Sequence, residues 1–208
     1  MSYKTTLIFM SLILCLGVFE TTQADENKLI PDSQNQIAIF AGGCFWCVES
    51  DFDKVPGVIE TTSGFDGGRV TNPTYEQVSA GGTGYAESVR ITYDPAKVSY
   101  QQLLDYFWHH IDPTTANAQF CDHGTQYRTA IFYLNEEQHQ LAVQSKAVLE
   151  KNKPFKGPIM TQIVASTEFY PAEPYHQNFH ETHTLKYKFY RYSCGRDQRV
   201  KELWGNSD

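Results

Sequence analysis

Apolar and polar residues alternate along this chain in short blocks that predict a mixture of strands and helices. Blocks rich in branched and aromatic residues, each typical of a strand, lie at residues 37–41, 58–65, 87–93, 128–134 and 159–165. The third block alternates strictly, with Val89, Ile91 and Tyr93 on one face and polar side chains on the other. It therefore predicts a strand with one buried face.

Capping residues and apolar spacing predict helices between these strands. Ser99 and Asn135 are residue types that cap helix N-termini, and Leu141, Val148 and Leu149 mark an apolar face after Asn135. A shorter helical stretch is expected at 173–183. The order β-α-β-β-α-β, with an extra strand and helices, predicts an α+β fold of the ferredoxin-like type. We expect a two-layer sandwich with a mixed sheet and an extra irregular segment at the C terminus.

The N-terminal segment has the pattern of a secretory signal peptide. Lys4 is followed by an apolar run at 7–19, shorter than the roughly 20 residues that span a bilayer, and then by Thr22-Gln23-Ala24. We predict that residues 1–24 are removed and that residues 25–208 form a single domain. An uncleaved anchor and a lipid attachment at Cys15 are the alternatives. The formal net charge of −7 argues against a general binder of nucleic acids or anionic membranes.

Cys44 is the residue most indicative of chemistry. It follows an apolar strand and Gly42-Gly43, which permit a tight turn, and it precedes Val48 and Phe52 at helical spacing. A cysteine at a helix N-terminus is expected to have a lowered pKa, because the helix dipole favours the thiolate. Phe45 and Trp46 add an apolar pocket. The sequence therefore predicts a nucleophilic or redox thiol.

The cysteines also allow other interpretations. Cys44 could be buried and inert, or it could form half of a metal site with Cys47. No second Cys-x-x-Cys pair occurs, so no metal is expected. Removal of the leader would leave four cysteines, and the other two are Cys121 and Cys194. Although an even number in an exported protein usually means disulfides, working redox cysteines fit better.

Four motifs together resemble one enzyme family. They are Gly43-Cys44-Phe45-Trp46, Asn72-Pro73-Thr74-Tyr75, Gly84-Tyr85-Ala86-Glu87 and Asp122-His123-Gly124-Thr125-Gln126-Tyr127-Arg128. In this order they resemble the A-type peptide methionine sulfoxide reductases, over residues 37–194. The resemblance implies an α+β sandwich and thiol-dependent reduction of the S-epimer of methionine sulfoxide, free or in proteins. Tyr85 and Phe65 stand where the family often has histidine and tyrosine, respectively, and no chemistry is assigned to them.

The resemblance also implies roles for individual residues. Cys44 would attack the sulfoxide sulfur, while Phe45 and Trp46 would hold the S-methyl group. Glu87 would supply a proton to the oxygen, which requires a raised pKa because an ionised carboxylate has no proton to donate.

Three further residues match the family's hydrogen-bonding groups. Tyr75 and Tyr127 would donate hydrogen bonds to the substrate, and Asp122 would help to orient it. From the residues alone, packing tyrosines and a turn aspartate are the simpler interpretations.

The resemblance implies that the Cys44 sulfenic acid is resolved by a second thiol. Cys194, in a glycine-containing tail, is the expected first resolving cysteine, and Cys47 is its rival; the role of Cys121 is open. The family uses thioredoxin or a thioredoxin-like domain as its reductant and no bound cofactor. An exported monomer in the bacterial periplasm, repairing oxidised exported proteins, would need a thioredoxin-like reductant fed through the membrane.

Two competing functions remain. A thiol–disulfide oxidoreductase could use Cys44 and Cys47 as its redox pair, although Glu87, Tyr75 and Asp122 would then have no task. An exported metal-binding protein, using the cysteines and seven histidines, is the third interpretation.

Overall fold

The computed structural model describes Met1 and residues 34–205, so the predicted leader at 1–24 lies outside the described residues apart from Met1. Residues 34–205 belong to one compact unit, Asp32–Asp208. None of the helices within these described residues has the length and apolar character needed to cross a membrane.

A mixed six-stranded sheet forms the frame of the fold, beside a two-stranded hairpin. The strands are β1 (Gln36–Gly42), β2 (Val58–Asp66), β3 (Ala86–Tyr93), β4 (Ala118–Gln119), β5 (Asp122–His123), β6 (Thr129–Tyr133), β7 (Gln162–Ala165) and β8 (Tyr170–Pro171). The large sheet has the order β7-β6-β1-β3-β2-β8, and β4 pairs with β5 in the hairpin. All neighbours are antiparallel except β6 and β7. The catalytic candidate Cys44 thus follows a central strand.

Within residues 34–205, seven α-helices connect or follow the strands. They are α1 (Phe45–Phe52), α2 (Tyr75–Ser79), α3 (Tyr100–His109), α4 (Glu136–Asn152), α5 (Phe179–Thr182), α6 (Thr184–Ser193) and α7 (Arg196–Trp204). The described residues also include two short 3-10 helices, Thr125–Tyr127 and Pro174–His176. Ser99 and Asn135 cap α3 and α4 through hydrogen bonds from backbone N–H groups to their side chains, as predicted.

The alternating side chains of β1 supply two separate cores. Phe40 stacks on Phe52 of α1, with ring centroids 5.4 Å apart, and on Phe107 of α3 at 4.9 Å. On the opposite face of the sheet, Ile39 and Phe132 belong to a smaller cluster. Because both faces of β1 are buried, its sequence is continuously apolar rather than alternating.

The predicted fold class and the five predicted strands are confirmed, and the differences lie mainly in the connections. Helix α2 begins in a loop-like stretch, where Thr74 forms a capping box with Gln77. The polar loop after α3 contains the β4-β5 hairpin. Val148, predicted to mark an apolar face, is exposed. The C-terminal segment, expected to be irregular, consists of α6 and α7, because one face of α6 packs against the Cys47 region through Tyr187.

Phe40→Ala tests the importance of the aromatic contact between β1 and the two helices. Removing this fully buried ring should lower the free energy of unfolding by roughly 3–5 kcal/mol, since it creates a cavity as well as losing apolar burial. Urea denaturation of the variant and wild type measures the difference. Phe189→Ala is the matched control, because Phe189 is 74% exposed and should change stability by less than about 0.5 kcal/mol. Equal losses in both variants would contradict this account.

Candidate active site

Cys44 lies in the turn between β1 and α1, where it occupies the N-cap position. The preceding Gly43 has a φ of +85°, and a Cβ there would lie 2.5 Å from Cβ of Gln119. Glycine is therefore required both by the backbone conformation and by the close approach of the loop. The Arg196 guanidinium donates a hydrogen bond of 3.0 Å to the Gly42 carbonyl. The turn that presents Cys44 is thus held from the C-terminal segment as well as from its own strand.

Burial raises the pKa of the Cys44 thiol well above its ordinary value, with smaller contributions from Cys47 and Glu87. The expectation of a lowered pKa is therefore wrong for this state of the protein. The helix N-terminus is present, but desolvation of the thiolate outweighs it. Cys44 is only 7% exposed. Its reaction as a nucleophile consequently requires a nearby group that accepts its proton.

Cys47 is adjacent to Cys44 and has the opposite electrostatic character. A hydrogen bond from Cys44 lowers the pKa of Cys47, against the effect of burial, and the positive charges of Arg196 and Arg191 lower it further. Arg191 itself lies 2.9 Å from the buried Asp51 carboxylate. Burial thus favours the protonated thiol at Cys44, whereas the surroundings of Cys47 favour its thiolate more than those of an ordinary cysteine do.

The predicted chemical residues converge on one small cavity of about 70 Å³. Its lining consists of Cys44, Phe45, Trp46, Tyr75, Glu87, Asp122, Tyr127 and Tyr190. Seven of these eight were predicted from sequence, and the eight together come from five separate segments of the chain. The cavity combines an apolar wall with carboxyl, phenol and thiol groups. Its size suits a small functional group rather than a whole ligand.

Glu87 is the carboxyl group of the cavity that is best suited to donate a proton. Burial raises its pKa to about 8, with the Asp122 charge adding to the effect and a hydrogen bond from the Phe45 backbone N–H opposing it. That N–H donates to Oε2 of Glu87 at 3.0 Å. Glu87 is therefore protonated at neutral pH, as the proposed role required.

Tyr75 and Tyr127 place two phenol groups in the same cavity. Burial raises the pKa of each, and the charge of Glu87 contributes further in both cases. Both hydroxyls consequently remain protonated donors over the physiological range. Tyr75 is positioned at the start of α2, where its backbone N–H donates a 3.0 Å hydrogen bond to Glu173.

Tyr190 lines the cavity although it was not predicted from the sequence. Its hydroxyl donates a short hydrogen bond to Oδ2 of Asp122, and its side chain lines the cavity together with Cys44. Burial raises the pKa of Asp122, and the hydrogen bond from Tyr190 opposes that shift. The sequence indicated this position only weakly, since Tyr190 lies one helical turn before Cys194 in an aromatic stretch.

Trp46 is held rigidly at the apolar wall. Its indole N–H donates to Nδ1 of His176 at 3.0 Å, and its ring stacks on Phe179 with centroids 3.8 Å apart and an interplanar angle of 9°. Phe45 is almost fully buried beside it. His176 and Phe179 were not predicted as parts of the site, because nothing in their local sequence indicates contact with a segment 130 residues earlier.

Cys194 and Cys121 form a disulfide next to the cavity, with Cα atoms 4.9 Å apart. Cys194, expected as the first thiol to resolve Cys44, is thus bonded to Cys121 in this structure, while Cys44 and Cys47 are free. The order of resolution stays a prediction. Among the described residues, Cys121, Asp122 and Cys194 are the group whose spacing could hold a metal ion. Their two sulfur atoms are already bonded to each other.

The sequence of this chain matches a known protein family. A family model described as peptide methionine sulfoxide reductase matches residues 36–208. The peptide methionine sulfoxide reductase MsrA of Halalkalibacterium halodurans is 51% identical over 168 residues, covering 81% of this chain and 96% of that protein. MsrA/MsrB of Vibrio cholerae is 44% identical over 199 residues; these cover 95% of this chain but only 53% of that longer protein.

Solved structures show the same fold. Methionine sulfoxide reductase A of Corynebacterium diphtheriae has a TM-score of 0.68 at 33% identity, over 73% of this chain and 76% of that one. Mxr1 from Saccharomyces cerevisiae in its reduced form has a TM-score of 0.69 at 27% identity, over 74% and 88% of the two chains.

Glu87→Gln should alter how stability depends on pH. The folded-state pKa of Glu87 lies above its ordinary value of 4.5, so the folded protein binds the extra proton between pH 4.5 and about 8. The wild type should therefore lose stability relative to the variant as pH rises through this window, by roughly 3 to 5 kcal/mol at most. Urea denaturation at pH 5, 7 and 9 measures the difference. Parallel pH profiles for the two proteins would contradict a raised pKa at Glu87.

Proposed function

Because the chain belongs to the peptide methionine sulfoxide reductase family, we propose that it reduces the S-epimer of methionine sulfoxide to methionine at Cys44. The substrate is free methionine sulfoxide or an oxidised methionine side chain in a protein. The observation that carries this proposal is the cavity itself, since it brings a nucleophilic thiol, a protonated carboxyl group and an apolar wall around a volume of about 70 Å³.

The cavity supplies each group that sulfoxide reduction needs. The Cys44 sulfur attacks the sulfoxide sulfur and loses its proton, which becomes acidic as the new sulfur–sulfur bond forms and which replaces the proton that Glu87 gives up. Glu87 gives its proton to the sulfoxide oxygen, because an oxygen without this proton is transferred poorly. The oxygen moves to Cys44, so methionine leaves and Cys44 becomes a sulfenic acid. Two electrons pass from the thiol to the substrate, and Glu87 is then reprotonated.

The arrangement of the walls supports discrimination between the two epimers. A sulfoxide sulfur carries a methyl group, an oxygen, the rest of the side chain and a lone pair. Phe45 and Trp46 offer the methyl group an apolar surface, while Glu87 and the phenols of Tyr75 and Tyr127 face the oxygen. With the nucleophile fixed at Cys44, only one configuration satisfies both contacts. The family resemblance assigns this configuration to the S-epimer.

Cys47 is favoured as the first resolving thiol over Cys194. It is hydrogen-bonded to Cys44 and has a lowered pKa, whereas Cys194 is held by Cys121. Its thiolate attacks the Cys44 sulfur, and the sulfenic oxygen leaves as water after taking up a proton. Trapping a Cys44–Cys194 disulfide after one turnover would instead support the original expectation.

The resulting disulfide has to be reduced by an external dithiol, so no bound cofactor is required for electron transfer. We assign this task to a thioredoxin or thioredoxin-like domain. Yeast Mxr1 has been solved in complex with Trx2, and the same class of partner is carried to this chain as a proposal.

The leader pattern at 1–24 supports export to the bacterial periplasm and repair of oxidised exported proteins there. A periplasmic reductant would need electrons supplied through the membrane.

Assays with the separated epimers of methionine sulfoxide test the reaction. Wild type with a dithiol reductant should turn over the S-epimer and leave the R-epimer unchanged. Cys44→Ser should abolish turnover, because the variant cannot form a sulfenic acid. Methionine release is measured by chromatography, with circular dichroism as the control for folding. Reduction of insulin without turnover of either epimer would favour the thiol–disulfide oxidoreductase, an alternative that the proximity of Cys44 and Cys47 keeps open.

The rate of the first turnover should fall as pH rises through about 8. Glu87 loses its proton in this range, and the oxygen then has no acid beside it. Glu87→Gln should reduce the rate by about 10²–10⁴-fold and remove the decline. Rapid-quench measurement of methionine between pH 6 and 10 gives both profiles. An unchanged decline in the variant would assign the titrating proton to another group.

A further inference from the structure

Glu49 is a buried carboxyl group that has no task in the reduction of the sulfoxide. It is fully buried on α1, and its Oε2 accepts a hydrogen bond of 3.1 Å from the backbone N–H of Asn178. Its Oε1 has no hydrogen-bond partner within the described part of the chain. A buried carboxyl group with an unpaired oxygen costs stability, and an apolar side chain of similar volume would avoid that cost. Stability alone therefore does not account for Glu49.

The segment that Glu49 contacts also holds the apolar wall of the cavity. We call residues 174–179 the clamp segment. His176 of this segment accepts the hydrogen bond of 3.0 Å from the Trp46 indole. The Phe179 ring stacks on Trp46, with centroids 3.8 Å apart. The orientation of Trp46, which lines the cavity, thus depends on where the clamp segment lies.

The clamp segment is anchored to two different elements. The Gln177 side-chain amide forms two hydrogen bonds of 2.9 Å with the backbone of Ser63, which attach the segment to β2. Asn178 follows with a φ of +50°, a conformation that residues other than glycine adopt at a cost in free energy. Its N–H donates to Glu49, so this conformation is held from α1. Phe179 comes directly afterwards, at the start of α5.

The two contacts of α1 with the clamp segment lie on one face of that helix. Trp46 and Glu49 are three residues apart in α1, which places them side by side. Trp46 contacts the Phe179 ring, and Glu49 binds the backbone one residue before it. The ring of Phe179 is therefore fixed from two points of a single helix. Cys44 and Glu87 are held differently, by the turn after β1 and by the N–H of the first residue of α1.

We propose that Glu49 is a positioning residue, whose carboxyl oxygen holds Phe179 against Trp46 and so fixes the apolar wall for the S-methyl group of the substrate. This inference rests on the proposed function, because the wall matters only if a sulfoxide methyl group binds there. Without the hydrogen bond from Asn178 the two rings can separate. The methyl group is then held less tightly, and a larger alkyl group fits. Glu49 thus determines how strictly the enzyme selects a methyl sulfoxide.

This role requires an oxygen acceptor rather than a negative charge. Burial raises the pKa of Glu49 to about 7, with the hydrogen bond from the Asn178 backbone opposing the shift and the Asp53 charge adding to it. At pH 6 the carboxyl group is therefore mostly protonated, and glutamine has the same shape and offers the same carbonyl oxygen. Glu49→Gln should preserve the wall. Glu49→Met should not, because its side chain has similar length but no oxygen.

First-turnover kinetics at pH 6 without a reductant test the role of Glu49. Methionine release is measured over a range of concentrations of the S-epimer, and the assay is repeated with the analogue that carries an ethyl group in place of the methyl group. Glu49→Met should raise the half-saturating concentration about tenfold and reduce the preference for methyl over ethyl about tenfold, as expected for loss of a buried hydrogen bond. Its rate at saturation should stay within about twofold of wild type. Glu49→Gln should match wild type in all three values.

Two further variants separate positioning from a general loss of stability. Ser145→Ala removes the buried acceptor of another indole, that of Trp108 at 2.7 Å, and neither residue lines the cavity. It should lower stability and leave the half-saturating concentration and the preference unchanged. Phe179→Leu should reproduce the loss of preference. The double variant Glu49→Met/Phe179→Leu should lose no more preference than Phe179→Leu alone, because Glu49 acts through that ring.

The outcomes distinguish failure of this role from failure of the proposed function. The role is wrong if Glu49→Met keeps the half-saturating concentration and preference of wild type, or if only its rate at saturation falls. Additive losses in the double variant would also overturn it. So would an unchanged preference in Phe179→Leu, a result that can be read even if Glu49→Met does not fold. If wild type releases no methionine, the proposed function itself fails.

Discussion

The buried guanidinium group of Arg196 connects the parts of this structure that chemistry requires to be together. It donates hydrogen bonds to the carbonyls of Gly42 and His110, at 3.0 and 2.9 Å, and it packs over the ring of Phe120. These contacts join the turn before Cys44, the end of α3 and the turn of the β4-β5 hairpin. A charge with so little exposure has to be compensated, and the neighbouring Asp51 supplies the opposite charge. The C-terminal helices are consequently part of the active site.

Burial is the common cause of the protonation states in the cavity. The same desolvation that raises the pKa of Cys44 also raises those of Glu87, Tyr75 and Tyr127. It keeps acids neutral where the substrate oxygen needs protons, but it also disfavours the thiolate of the nucleophile. Cys47, beside two arginines, is the place where negative charge is tolerated. The site therefore places proton donation on Glu87 and the two tyrosines, and negative charge on Cys47.

The two cysteine pairs differ mainly in exposure. Cys44 and Cys47 lie within the protein because the substrate group must be surrounded, whereas Cys121 lies where another protein can reach it. Asp122 and Tyr190 stand between the pairs and bond to each other. A single cavity wall thus borders both the chemical step and the disulfide that adjoins it.

The sequence by itself determined most of the frame and of the reacting groups. Blocks of apolar residues determined five strands, because strand burial leaves a local pattern, and Ser99 and Asn135 marked two helix starts through side-chain caps. The ordered motifs identified Cys44, Glu87, Tyr75, Tyr127 and Asp122, since each lies within a short recognisable stretch.

Tertiary structure decided what depends on distant contacts. The sequence predicted a lowered pKa for Cys44, because the residue lies at a helix N-terminus. Desolvation arises only after packing, and it raises the pKa of Cys44 instead. Tyr190 joins the cavity because α6 folds back onto Asp122, 68 residues away. Cys121 pairs with Cys194 across 73 residues, and no local pattern encodes that distance. Local periodicity and motif order reside in the chain, whereas burial and long-range proximity exist only once it has folded.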